Sequence, residues 1–185
     1  MKKFLLLLVM LIPVAVCAQE NNEKKQTKYE EITFKSGEIL KYEDINFTKI
    51  ITRSGSSIQT YIRIVHGSPN YYFYVLSKSD NGSLWSNPNY NGIALIEYND
   101  LVEVNKALDK IYSETKTDLE TSSDFLMNKF VTDDGFVVGH YVRKKQGCSF
   151  VRLERYSDPI DIASYSKLIS TFKEAQAKIE ELKKE

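Results

Sequence analysis

The chain has 185 residues, with 25 Lys plus Arg balanced by 25 Asp plus Glu and only two histidines and two cysteines. That length suits one domain of ordinary size, and the charge balance excludes the strongly basic footprint that nucleic-acid binding requires. So few histidines and cysteines exclude a zinc centre built from those ligands, and no metal, cofactor or catalytic signature is visible.

Lys2 and Lys3 precede an apolar run from Phe4 to Ile12, then Pro13 and Val16-Cys17-Ala18 before the polar Gln19. Even counted from Phe4 through Ala18, the stretch of 15 residues falls short of the roughly 18 to 20 that cross a bilayer as a helix. The pattern therefore predicts a secretory leader over residues 1–18, cut ahead of Gln19, and no transmembrane segment after cleavage. Cleavage removes Lys2, Lys3 and Cys17, leaving 23 basic residues against 25 acidic ones and Cys148 without a disulfide partner. The alternative is a lipid anchor at Cys17, because Val14-Ala15-Val16-Cys17 approximates a lipobox. Val16 argues against it, since a small residue is wanted before the cysteine. Residues 19–28 contain no large apolar side chain and read as a flexible tether; residues 29–185 read as a single domain.

In that domain, Tyr29 to Lys35 and Glu38 to Phe47 read as a hairpin around Ser36-Gly37, with Phe34 facing Ile39 and Lys35 opposite Glu38. Ile58 to His66 alternates with a period of two, as a half-buried strand does. After the Gly67 to Asn70 turn, Tyr71 to Leu76 is apolar on both alternating faces and should lie centrally in a sheet. Ser79 to Gly92 holds four asparagines, two glycines and Pro88, too many turn formers for a regular element. Ile93 to Tyr98 returns as a strand.

Asn99 or Asp100 then caps a helix with Leu101, Val104, Leu108 and Ile111 on one face, Glu103 completing a capping box with Asp100. Beyond a polar link over 115–124, three strands form a meander: Phe125 to Thr132, Phe136 to Lys144 and Ser149 to Arg155, joined at Asp134-Gly135 and Gln146-Gly147. These turns place Gly139 opposite Phe130, His140 opposite Leu153 and Cys148 opposite Lys145. Asp158-Pro159 starts a final helix with a seam of Tyr165, Leu168, Phe172, Ala175, Ile179 and Leu182. The whole is an α+β fold: a mostly antiparallel sheet of seven or eight strands with two helices packed on it, one mid-chain and one long and C-terminal. The stretches 93–104 and 150–162 both end a strand and open a helix, a weak echo of a duplicated strand-then-helix unit.

Chemistry is sparse. His140 reads as a buried, hydrogen-bonded core histidine, and the expected register holds it about 17 Å from Cys148, too far for a dyad. Ser113/Lys116, Ser164/Lys167 and Ser170/Lys173 resemble the nucleophile spacing of penicillin-binding enzymes, but the companion motifs are missing. The candidate ligand-binding residues are Trp85, Asn87, Asn89 and Tyr90 in the loop after the central strand, where ring faces beside amides suit sugars. The expected function is a non-catalytic exported module that binds a protein or glycan at the cell envelope. Two alternatives stay open: a hydrolase using carboxylates that the sequence does not place, and a structural subunit self-associating through Leu168, Phe172, Ile179 and Leu182.

Overall fold

The computed structural model describes residues 27–35, 37, 39–78, 92–155 and 157–184. The first element is a helix, α1 (Lys28–Thr33), where the sequence suggested a strand. Its capping box decides the outcome: Thr27 Oγ1 accepts from Glu30 N at 3.1 Å while Glu30 Oε2 accepts from Thr27 N at 2.9 Å. The expected Phe34–Ile39 hairpin does not form, and Phe34 and Ile39 are 73% and 101% exposed.

Five strands then make the first sheet: β1 (Tyr42–Asn46), β2 (Ile50–Ile51), β3 (Ser57–Val65), β4 (Tyr71–Lys78) and β5 (Ile93–Glu97). The order is β1-β3-β4-β5, all antiparallel, with β2 beside β1 along β3. The doubly apolar β4 is indeed central. Its neighbour β3 is also covered on both faces rather than half-buried. Ile58 and Ile62 enter the main core, while Tyr61 and Val65 join Phe73 and Val75 of β4 in a second cluster on the opposite face. Tyr29 and Ile32 of α1 close that second cluster, the Tyr29 ring meeting Phe73 edge-on at 5.4 Å.

β5 runs straight into α2 (Tyr98–Asp118), with Glu97 at the N-cap and no side-chain cap. The expected caps Asn99 and Asp100 therefore lie inside the first turn, where the carboxylate of Asp100 still favours the positive helix end. The helix also takes in residues 115–118, read from sequence as part of a link. The second sheet follows as β6 (Phe125–Val131), β7 (Val137–Arg143), β8 (Gln146–Arg152) and β9 (Ile160–Ile162), in that order and antiparallel. Last comes α3 (Tyr165–Leu182), capped by the Ser164 side chain. The described residues thus hold nine strands in two sheets and three helices, and the chain does run twice as strands followed by a long helix.

The meander is present in a shifted register. The β7–β8 turn is Lys144-Lys145, both with positive φ (50° and 62°), and not Gln146-Gly147. Two successive left-handed residues match the strand twist of a two-residue hairpin. As a result His140 pairs with Ser149 and Cys148 with Tyr141, and not with Leu153 and Lys145. Five residues, 132–136, connect β6 to β7, with Gly135 at φ 91°, so Val131 pairs with Val137 and Gly139 faces Lys129 and not Phe130. An aromatic still covers the glycine from the other side, because Phe150 of β8 is its partner. β9 occupies the place where the final helix was expected to start: Ile160, Asp161 and Ile162 pair with β8, so α3 begins six residues after Pro159.

One join makes the two sheets a single body. Thr52, just after β2, bridges to Ile162 of β9, with Arg53 N donating to Asp161 O at 2.8 Å and Ala163 N to Ile51 O at 3.0 Å. The helices α2 and α3 bring Leu101, Val104, Leu108, Leu168, Phe172, Ala175 and Ile179 into one core with both sheets. Asn105 of α2 ties the helices together, donating to Phe172 O at 3.3 Å and Gln176 Oε1 at 2.8 Å.

A Cβ at Gly139 would lie 2.5 Å from Asn128 O and 2.8 Å from the Phe150 ring. Gly139→Ala should therefore cost about 1–3 kcal/mol by overpacking, measured by denaturant unfolding. A loss below about 0.5 kcal/mol, the range of an ordinary surface substitution, would contradict the register described.

Candidate functional site

A cleft of about 310 Å³ opens on the face of the second sheet turned away from the helices, lined by Arg53, Tyr141, Arg143, Lys144, Gln146 and Cys148. Local pairing builds most of it. Tyr141 faces Cys148 across β7 and β8, Arg143 faces Gln146 one step further on, and Lys144 sits in the turn. Arg53 arrives from the first sheet, held by its backbone bond to Asp161. Three cations therefore surround one small polar opening. No ion pair among the described residues engages Arg53, Arg143, Lys144 or the adjacent Lys145.

Tyr141 donates to the Asp161 carboxylate at 3.1 and 3.3 Å. Its phenol is pushed up to about 12, by desolvation first and then by the Cys148 sulfur and Asp161, so it stays a neutral donor at physiological pH. Arg53 is held still more firmly protonated by hydrogen bonding to the Cys148 sulfur and by Asp161. The thiol is nearly buried, with Sγ 3.6 Å from Ser149 O. With the phenol proton taken by Asp161, the cleft presents guanidinium, ammonium and amide donors, a set suited to an anion.

It does not present a nucleophile with a base. His140 neighbours Tyr141 in sequence and so points to the opposite face of β7, towards the helices; that alternation, and not the expected 17 Å along the strand, separates it from Cys148. The imidazole is buried as expected, but its Nδ1 has no hydrogen-bond partner: Asp118 Oδ2 is 4.0 Å away and accepts from Asn128 Nδ2 at 2.8 Å. Burial lowers the His140 pKa, opposed by Asp118. Among the described residues no group of His, Cys, Asp and Glu is arranged to hold a metal ion.

Trp85, Asn87, Asn89 and Tyr90 lie outside the described residues. The described residues on either side are tied together: Lys78 N donates to Gly92 O at 3.0 Å, and Glu154 Oε1 accepts from Gly92 N and Ile93 N at 3.0 and 3.3 Å. A smaller notch of about 90 Å³ lies between Asn70, Tyr71, Tyr72, Glu97, Tyr98, Asn99 and Lys183. Its aromatics serve to pin the end of α3: Lys183 Nζ stands 3.8 Å over the Tyr98 ring, and Tyr98 donates to Glu180 at 3.1 Å. The expected self-association seam is used up inside the chain. Leu168, Phe172 and Ile179 are fully buried in the core the helices share with the sheets, out of reach of a second copy, and Leu182 is partly buried on the same core. No helix among the described residues is long and apolar enough to cross a membrane.

The chain matches no known family model, and no curated protein or solved structure is similar to it.

The opposite end of the second sheet is acidic. Asp134, in the β6–β7 loop, is pushed up to about 6, by burial first and then by Asp100, Glu97, Asp133 and Glu30. A carboxyl whose folded pKa exceeds its unfolded value of about 3.9 contributes its stability fully at low pH. That contribution disappears as pH rises through about 6. Asp134→Asn, neutral at every pH, should therefore melt above the native chain at pH 7.5, the gap narrowing towards pH 4. A gap that stays constant over this range would contradict the assignment.

Proposed function

We propose that this chain is an exported module of the cell envelope that binds a ligand without transforming it, and that the ligand's anionic group sits in the cleft between Arg53, Arg143 and Lys144. The observation that carries this reading is the convergence of three cations on one opening, none of them within ion-pair distance of a described carboxylate, although Asp161, which accepts from Tyr141, acts on Arg53 from further off. Arg63, by contrast, is satisfied by its own counter-ion through bidentate bonds to Asp44 at 2.8 Å. The leader pattern over residues 1–18 supports the envelope as the destination.

At about 310 Å³ the cleft is at the small end of ligand sites, which run from about 300 to 1,000 Å³. That size favours a single anionic unit over a helix or a folded surface. The Tyr141 phenol, the Gln146 amide and the guanidinium forks together fit a carboxylated sugar, where the acid group takes the cations and the hydroxyls take the amide and phenol. An acidic glycan is therefore the ligand class we favour.

Titration calorimetry with uronate-containing and neutral oligosaccharides tests this. The acidic set should bind, more weakly at higher salt, and Arg53→Ala/Arg143→Ala should lose at least about tenfold in affinity while melting like the native chain. Acidic glycans that fail to bind, or that bind the double variant equally well, would overturn the reading, as would binding confined to acidic peptides.

Export has its own test. The intact mass of the protein recovered from the cells that make it should correspond to a chain starting at Gln19. A retained leader, or a lipid-shifted mass at Cys17, contradicts that part of the proposal.

A further inference from the structure

Among the described residues β6 is an edge strand, paired only with β7. Its side chains alternate strictly. Leu126, Asn128 and Phe130 are half-buried on the helix side, while Phe125, Met127, Lys129 and Val131 are exposed on the other. Phe125, Met127 and Val131 are 53%, 40% and 45% exposed, with a row of backbone donors and acceptors beside them on the open edge. Natural proteins usually blunt such an edge with charge, proline or a covering element; the outward face of β6 has a single charge, Lys129.

The two ends of this edge differ in sign. Phe125 pairs with Arg143, and Lys144 N reaches Asp124 O at 3.5 Å, so the Arg143-Lys144-Lys145 tip lies against the start of β6. Its other end runs into Asp133 and Asp134, with Asp100 and Glu97 within electrostatic reach and Arg155 donating to Asp133 O at 3.4 Å, so acid outnumbers base there. Seven residues at about 3.4 Å each put these poles roughly 20 Å apart.

We propose that β6 pairs antiparallel with β6 of a second copy, giving a two-fold dimer in which the two second sheets become one continuous sheet. Antiparallel pairing brings the cationic start of each strand beside the acidic end of the other, and parallel pairing would set like poles together. Full overlap of Phe125–Val131 turns about Asn128, so Phe125 stands opposite Val131 and Met127 opposite Lys129. This register joins apolar residues at both ends and keeps the two lysines from facing each other. A two-fold axis allows the same edge to serve on both copies. Pairing along one short edge covers less than a standard interface, so the dimer dissociates on dilution. The cationic pole shares Arg143 and Lys144 with the cleft, but Met127 does not line it, so substitutions at Met127 test the pairing apart from the cleft's ligand.

Sedimentation velocity on the full chain over a wide concentration range tests it, with Met127→Lys and Met127→Glu compared in parallel. Both substitutions fall on an exposed position, and thermal melts establish that both variants fold. The native chain should be a reversible dimer weakened by salt. Met127→Lys sets lysine opposite the partner's lysine twice over by symmetry and should weaken association about tenfold or more. Met127→Glu sets a carboxylate opposite lysine and should preserve or tighten it. A native chain that stays monomeric at the highest concentration, or two variants that weaken association equally, would overturn the proposal.

Discussion

The short join between β2 and β9 is the constraint on which the rest of the molecule depends. Neither four- or five-stranded sheet could enclose α2 and α3 alone; each offers one apolar face to a helix pair that needs cover on several sides. The Thr52–Ile162 bridge and its two flanking backbone bonds join the two sheets edge to edge. Thr52 is buried there, its hydroxyl satisfied by Ser54 and Ser56 at 2.9 and 2.8 Å, so the join leaves no unpaired polar side chain at Thr52. The same alternation that turns Thr52 inward turns Arg53 outward, beside Asp161 and into the cleft. Core closure and site assembly are therefore one event.

The second sheet carries the molecule's chemical polarity. Its inner face is apolar or buried, and its outer face runs from a cationic tip at Lys144-Lys145 to an acidic loop at Asp133-Asp134. The cost of the cationic tip is visible in the backbone, where two lysines occupy left-handed conformations that asparagine and glycine adopt more readily. Such strain persists where the surroundings impose it, and here the imposed result is a cluster of cations projecting past the end of the sheet. The acidic end has a matching tension in Asp134, half-buried among other carboxylates.

Much of this was legible in the sequence wherever a local pattern carried it. The central strand Tyr71–Lys78, the amphipathic faces of both long helices and the existence of the β6–β8 meander follow from periodicity alone. The failures share a cause, which is that pairing is not local. Gln146-Gly147 looks like a turn, but Gly147 pairs with Val142 within β8, at a spot where a Cβ would be 2.6 Å from His140 Nε2. Asp158-Pro159 looks like a helix start, but Ile160–Ile162 finds more partners in β8 than in a first helical turn. Only α1 had a local signal that went unread: Thr27 and Glu30 have capping-box spacing, outweighed by the β-forming residues around them. For the site, the run Arg143-Lys144-Lys145 was visible, but Arg53 lies ninety positions earlier and is brought to it only by the β2–β9 join.

The most direct measurement on this account is native-state hydrogen exchange at the Arg53 and Ala163 amides, the two donors of the join. If the sheets form one body, both amides should exchange as slowly as those in the centres of β3 and β7, because only global unfolding releases them. Fast exchange at both amides, with β3 and β7 still protected, would mean that the sheets are separate units and that the cleft is not held together by the fold.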